Sequence, residues 1–274
     1  MRNILLFLIL SLVPCFSMAQ DAYDRFRKEM AGVESREREL RDAIWGKNDN
    51  TQEYKDSVWQ ILDVLVKDKK DFALRSVREN PDDARFLKVL DIYVRNFLSL
   101  DEYEAELKHF SKKVQQTEEW QQNSDFVKYS REMQPGKPYV DIHVKGHNGE
   151  DIVLSEILKT KKVVLIDFWA SWCGACRASM PYLKKVYEKY APKGFEVLSV
   201  SFDDDKEKWD KAYQEEDFDW IDGSNLLGWK DPLSLKYAIR GIPHQVLVSG
   251  DGKIIKIGFY RSGDLEKELD KYLK

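Results

Sequence analysis

The sequence predicts an α/β layer structure over residues 135–274, preceded by an all-α region over residues 20–134. Three observations predict it. Strong chain breakers are scarce before residue 135, where only Gly32, Gly46 and Pro81 interrupt the region, and frequent after it, with 12 glycines and six prolines. Apolar residues recur at helical spacing in the first region, and fall into short β-rich runs alternating with helical patterns in the second. One of those runs leads straight into Cys173-Gly174-Ala175-Cys176.

The amino terminus is set apart. After Arg2 an apolar run spans Ile4 to Val13, and Ser17-Met18-Ala19 then has the small-residue form cut before Gln20. Residues 1–19 therefore read as a secretory signal peptide; the run is about half the roughly 20 residues needed to span a bilayer. Lipid attachment at Cys15 is the alternative, opposed by Pro14 directly before it, and membrane contact is expected only in that case. Cleavage after Ala19 leaves Cys173 and Cys176 as the only cysteines of an exported protein, which is periplasmic if the source is a Gram-negative bacterium. A net charge of −4 provides no basic field for nucleic acid.

Residues 20–134 carry 21 Lys+Arg and 25 Asp+Glu. Residues 22–45 form a charged helix with an irregular stripe (Phe26, Met30, Val33, Leu40, Ile44), open to the reading of a solvated arm. Tyr54, Val58, Ile61, Leu62 and Leu65 mark the next helix, Leu87, Leu90, Val94 and Phe97 another, and Tyr103, Leu107, Phe110 and Val114 a third. Asn80-Pro81-Asp82-Asp83 reads as a helix start, and Ser99 with Glu102 has capping-box spacing. The boundary falls at Gln134-Pro135-Gly136. Beyond it, Val140–Lys145 and Asp151–Leu154 flank the hairpin signal Asn148-Gly149. Val163–Trp169 is a strand, and a helix follows through Tyr190. Phe195–Phe202 is a strand, residues 206–217 a helix, Gln245–Ser249 and Lys253–Phe259 a hairpin across Asp251-Gly252, and Asp264–Leu273 the last helix.

A cysteine at the end of a buried strand and the start of a helix meets unpaired N–H groups and the positive end of the macrodipole, which favour its thiolate. Cys173 is then the attacker of a disulfide, and Cys176, one turn inward, can attack the resulting mixed disulfide and release the client. An inert disulfide and half of a zinc site compete with this reading. Zinc needs two more ligands, and His143 and His147 are the one closely spaced histidine pair.

Asp167-Phe168-Trp169-Ala170-Ser171-Trp172-Cys173-Gly174-Ala175-Cys176 with Pro181, and Gly241-Ile242-Pro243 downstream, resembles the active site of thioredoxin-fold proteins. Val197–Ser201, Asp203, Trp209 and Tyr237-Ala238-Ile239-Arg240 resemble the exported TlpA/ResA-like thiol-disulfide oxidoreductases, which add a strand and a helix to that fold. The resemblance covers about residues 135–274 and none of residues 20–134. It implies Cys173 as nucleophile, Cys176 as resolving thiol, and Asp167 as a buried acid exchanging a proton with Cys176. It also implies Pro243 as a cis-proline shielding the pair, Ile242 as a backbone partner for an extended client segment, Trp172 as apolar rim and Trp169 as floor. No cofactor beyond the Cys173–Cys176 disulfide is implied. The implied partners are disulfide-bearing client proteins and a membrane-bound electron donor. Ala175 and His244 depart from the pattern, where proline and threonine are common. His244 reads as a packed histidine, and Asp203-Asp204-Asp205 as a solvated turn with a helix cap.

The expected function is reduction of client disulfides by an exported oxidoreductase. A thiol peroxidase is the alternative within the fold, but it lacks the Thr-x-x-Cys context. A binding or redox-sensing module using the helical region is the alternative outside enzymology.

Overall fold

Helix-forming, breaker-poor sequence becomes a chain of helices in the computed structural model, which describes residues 15–45, 51–259 and 263–273. The leader run Ile4–Val13 lies outside these residues. Among the described residues no helix is long and apolar enough to cross a membrane. The chain divides into two compact units, Met1–Ser124 and Asp125–Lys274.

In the first unit α1 (Cys15–Trp45) and α2 (Gln52–Glu79) pack on each other, with Leu40 and Ile44 against Val58 and Leu62. The segment at 22–45 is therefore no solvated arm. Phe26 stacks on Phe72 at 5.4 Å and meets Phe86 and Tyr93 edge-on at 5.8 and 5.9 Å, which buries the amino-terminal part of the irregular stripe among large rings. Tyr54 and Ile61, expected on the buried face of α2, are exposed; Val58, Leu62, Ala73 and Val77 form that face. The helix expected through Phe97 is broken. α3 (Arg85–Val89) runs into a wider turn at Leu90–Val94 and a 3₁₀ turn at Arg95–Phe97, leaving Phe97 exposed. Asn80 closes α2 instead of opening the next helix, its side chain donating to the Ser76 carbonyl at 2.8 Å, while Asp83 accepts from the Arg85 N–H at 3.0 Å. The capping box forms at α4 (Leu100–His109): Ser99 N–H donates to Glu102 at 2.7 Å and Glu102 N–H to Ser99 Oγ at 3.3 Å. α4 ends before Phe110, so Val114 lies in a separate 3₁₀ turn. The division between the units falls inside α5 (Glu118–Glu132), a helix the sequence reading did not place.

The second unit is one seven-stranded sheet in the order β2-β1-β5-β4-β3-β6-β7. Its strands are β1 (His143–Lys145), β2 (Asp151–Val153), β3 (Val163–Trp169), β4 (Phe195–Ser201), β5 (Ile221–Ser224), β6 (His244–Ser249) and β7 (Ile254–Ile257). β3, β4 and β5 run parallel, and β6 lies antiparallel to β3. β3 and β4 are buried at every residue, as the continuous apolar runs of central parallel strands require. Alternation splits β3 between two cores. Val163, Leu165 and Trp169 face α7 (Gly174–Tyr190), α8 (Lys206–Glu216) and α10 (Asp264–Tyr272). Val164, Ile166 and Phe168 face α6 (Leu154–Leu158) and α9 (Pro232–Lys236).

β5 is absent from the sequence reading. It forms because Ser199 and Val200 of β4 offer paired backbone to Asp222 and Gly223. Gly223 also lets β1 close in: a Cβ there would meet Val144 Cγ2 at 2.6 Å and the Lys145 carbonyl at 3.2 Å. Gly223→Ala is therefore expected to cost about 1–3 kcal/mol in urea unfolding, as overpacking does. A loss below about 0.5 kcal/mol would show that the β1–β2 hairpin yields freely.

Candidate active site at the carboxyl end of β3

The run Val163–Trp169 ends where β3 stops, and the chain turns through Ala170-Ser171-Trp172 into α7. Cys173 is the N-cap of that helix. Its N–H donates to the Ala170 carbonyl at 3.0 Å, and its sulfur accepts the Cys176 N–H at 3.1 Å. The helix thus directs one of its free N–H groups, and its positive end, at the first sulfur. Cys173 and Cys176 are joined as a disulfide with Cα atoms 5.3 Å apart. Cys173 is 7% exposed and Cys176 1%, so the first sulfur is the one a client can approach. Beside it Trp172 is 55% exposed, and behind it Trp169 is fully buried.

The turn before the cysteines is tied to the end of β4 by a carboxylate. Asp203 accepts from Ser171 N–H at 2.8 Å and Ser171 Oγ at 2.6 Å, and from Ser201 Oγ at 2.6 Å. Asp203 is buried, which corrects its reading as part of a solvated turn; Asp205 alone is the helix cap, accepting the N–H groups of Glu207 and Lys208.

Asp167 sits in mid-β3, on the sheet face that Val163, Leu165 and Trp169 share with the cysteines and α7. It is 1% exposed, and Gln245 of the neighbouring β6 donates to it at 2.8 Å. Burial pushes its carboxyl up to about 6; the Gln245 bond opposes the rise and the charge of Asp222 adds to it. Such a group takes and gives protons near neutral pH, in the same apolar layer as Cys176.

The Ile242–Pro243 peptide bond is cis, and Pro243 enters β6 beside the end of β3. Ile242 packs against the core that contains both cysteines. His244 is not brought to them. It pairs with Phe168 in register, its ring lies 6.1 Å from that of Phe168 on the opposite face, and burial pulls its pKa down to about 4, which keeps it neutral. The histidine pair separates as well: His143 is largely exposed beside Asp141, and His147 reaches Asp222 and Asp210. Among the described residues no cluster of three His, Cys, Asp or Glu is arranged to hold a metal ion.

Two sulfurs that open to thiols and reclose within one helical turn pass electron pairs between disulfides, so the fold and the site define a thiol-disulfide oxidoreductase. The family model and the curated sequence relatives point the same way. Residues 161–254 match a family model described as thioredoxin-like. The ResA thiol-disulfide oxidoreductase of Bacillus cereus is 28% identical over 152 residues, covering 53% of this chain and 83% of the relative. The thioredoxin domain of a thiol-disulfide oxidoreductase from Bacteroides vulgatus is 31% identical, with a TM-score of 0.48, covering 52% of this chain and 99% of that one. A thiol:disulfide interchange protein from a Bacteroides species is 33% identical, with a TM-score of 0.47, covering 52% of this chain and 91% of that one. Residues 161–254 thus lie in a thioredoxin-like domain, and the likeness to the ResA proteins supports a thiol-disulfide oxidoreductase of the thioredoxin superfamily.

Proposed function

We propose that this protein reduces disulfides of client proteins outside the cytoplasm. The supporting observation is the asymmetry of the cysteine pair: Cys173 caps α7 at the more exposed position, and Cys176 lies one turn inward. In the reduced enzyme the Cys173 thiolate attacks one sulfur of a client disulfide, and the client's other sulfur leaves as a thiolate and takes up a proton. Cys176, losing its proton to Asp167, then attacks Cys173 Sγ. The second client thiolate departs and the Cys173–Cys176 disulfide closes. Two electrons have passed to the client, and two electrons from a membrane-bound donor restore the dithiol. The cysteine pair is the only redox group this cycle needs. Pro243 and Ile242 border the approach to Cys173, with the Ile242 backbone available to an extended client segment and Trp172 as the apolar rim.

Export rests on Ile4–Val13 followed by Ser17-Met18-Ala19, which gives a mature chain beginning at Gln20, or one lipid-anchored at Cys15. Residues 20–134 are proposed as a helical domain that accompanies the redox domain 135–274. The direction of transfer is tested by equilibrating the Cys173–Cys176 couple against a thiol buffer. A reductase is expected near thioredoxin, at roughly −270 mV, whereas a value near about −120 mV, that of a strong oxidant, would reverse the proposed direction.

A further inference from the structure

A polar row crosses the apolar sheet on the cysteine face. Gln245, Asp167, Ser199 and Asp222 are neighbours in register on β6, β3, β4 and β5. Asp167 and Asp222 thus stand two strands, or roughly 10 Å, apart. Asp222 has no exposed side-chain surface and accepts three bonds: from Trp169 Nε1 at 2.8 Å, from Trp209 Nε1 at 2.7 Å, and from His147 Nε2 at 3.0 Å. Trp169 is the indole behind the cysteine pair, so Asp222 is bonded to the wall of the redox site and aligned with Asp167.

His147 comes from the turn between β1 and β2, and its placement is built. The ring is stacked between Trp209 and Tyr213, each at 3.9 Å. Its Nδ1 bonds Asp210 at 2.8 Å, and its carbonyl accepts from Lys206 at 3.1 Å, while Lys206 also bonds Asp210 at 2.7 Å. With both ring nitrogens on carboxylates, the imidazole is held as a cation. The charged or titratable groups facing it are Asp222 from β5, Asp210, Lys206 and Tyr213 from α8, and Glu150 from its own hairpin. A cavity of about 760 Å³ is lined by His147, Asp210, Tyr213 and Asp222.

We propose that His147 is a positioning residue of the redox site: its ion pair keeps Asp222 ionised, and the ionised Asp222 holds the Trp169 indole and sets the field in which Asp167 exchanges its proton. This rests on the proton-relay reading of Asp167. Burial raises the Asp222 carboxyl on balance, with His147 and the two indoles working against that rise, so loss of His147 raises it further and favours the protonated form. The Asp222 charge in turn raises the Asp167 carboxyl.

The test is the pH profile of disulfide exchange by the full chain, measured for wild type, Asp167→Asn, Asp222→Asn, His147→Gln and the double variant Asp222→Asn/His147→Gln, with thermal unfolding as the check on folding. Asp167→Asn is expected to remove the limb near pH 6. Asp222→Asn and His147→Gln each move that limb to lower pH by about half a unit or more, as loss of a nearby like charge does. The double variant matches the singles. A limb that persists in Asp167→Asn defeats the relay reading and this inference with it. A limb lost in Asp167→Asn but unmoved or raised in His147→Gln defeats the inference alone. His147 stands at the edge of the hairpin, so its variant keeps the test open if Asp222→Asn fails to fold.

Discussion

Replacing Cys173 with serine is expected to abolish disulfide exchange, with turnover falling at least about 10³-fold, because the hydroxyl cannot supply the nucleophile that the first step requires. The fold should survive. Cys173 sits at a helix cap, where a serine oxygen accepts the Cys176 N–H as well as sulfur does. Cys176→Ser is expected to behave differently: Cys173 still attacks, but the mixed disulfide has no internal thiol to resolve it and accumulates with client attached. Non-reducing gels of the two variants, each incubated with a disulfide-bonded protein, check the pair. Adducts on Cys176→Ser and none on Cys173→Ser assign the roles as proposed, and the reverse pattern would exchange them.

Asp167→Asn is expected to slow exchange by roughly 10²-fold above pH 6, the usual worth of a positioned general base. The effect should fade below pH 6, where the wild-type carboxyl is itself protonated. The same substitution has a stability signature of the opposite sense. A carboxyl raised from 3.8 to about 6 binds its proton more tightly in the folded state than in the unfolded state. Folding is therefore most favoured below the unfolded value, and that advantage is lost as pH rises through about 6. At pH 7 the buried carboxylate costs about 3 kcal/mol, the free energy of roughly two pK units. Asp167→Asn, which retains an acceptor for Gln245, should then be more stable than wild type at pH 7 and no more stable near pH 4. Urea titrations at the two pH values measure this. Equal stability at both would mean that Asp167 does not carry a raised pKa.

The parts of the fold legible in the sequence are those where local pattern and tertiary demand coincide. Val163–Trp169 is apolar and β-branched because it is an interior strand buried on both faces, and the cysteines follow because α7 begins there. Ser99 and Glu102 cap α4 with contacts that lie within one turn. The α/β unit preceded by helices is the expected architecture. β5 was illegible: Ile221-Asp222-Gly223-Ser224 has little strand propensity, and its pairing to β4 and its buried carboxylate are decided by residues distant in sequence. The break after α3 was hidden because Leu87, Leu90 and Val94 keep a helical spacing that a wider turn also satisfies. In the site, the cysteines, Trp172 and Pro243 carry a local motif. The roles of Asp203 and His147 were not legible, since the first, though part of the resemblance, read as one of three acids in a solvated turn and the second as half of a histidine pair weighed for zinc. A polar residue that follows a buried strand, as Asp203 follows β4, was the available signal.

Passage of an electron pair from Cys173 and Cys176 to a client disulfide is tested by mixing the fully reduced chain with a disulfide-bonded protein, quenching with acid, and counting thiols on both partners over time. Client thiols are expected to appear as the Cys173–Cys176 disulfide forms, one disulfide closed for each one opened. A client that stays oxidised while the chain keeps both thiols would contradict that transfer.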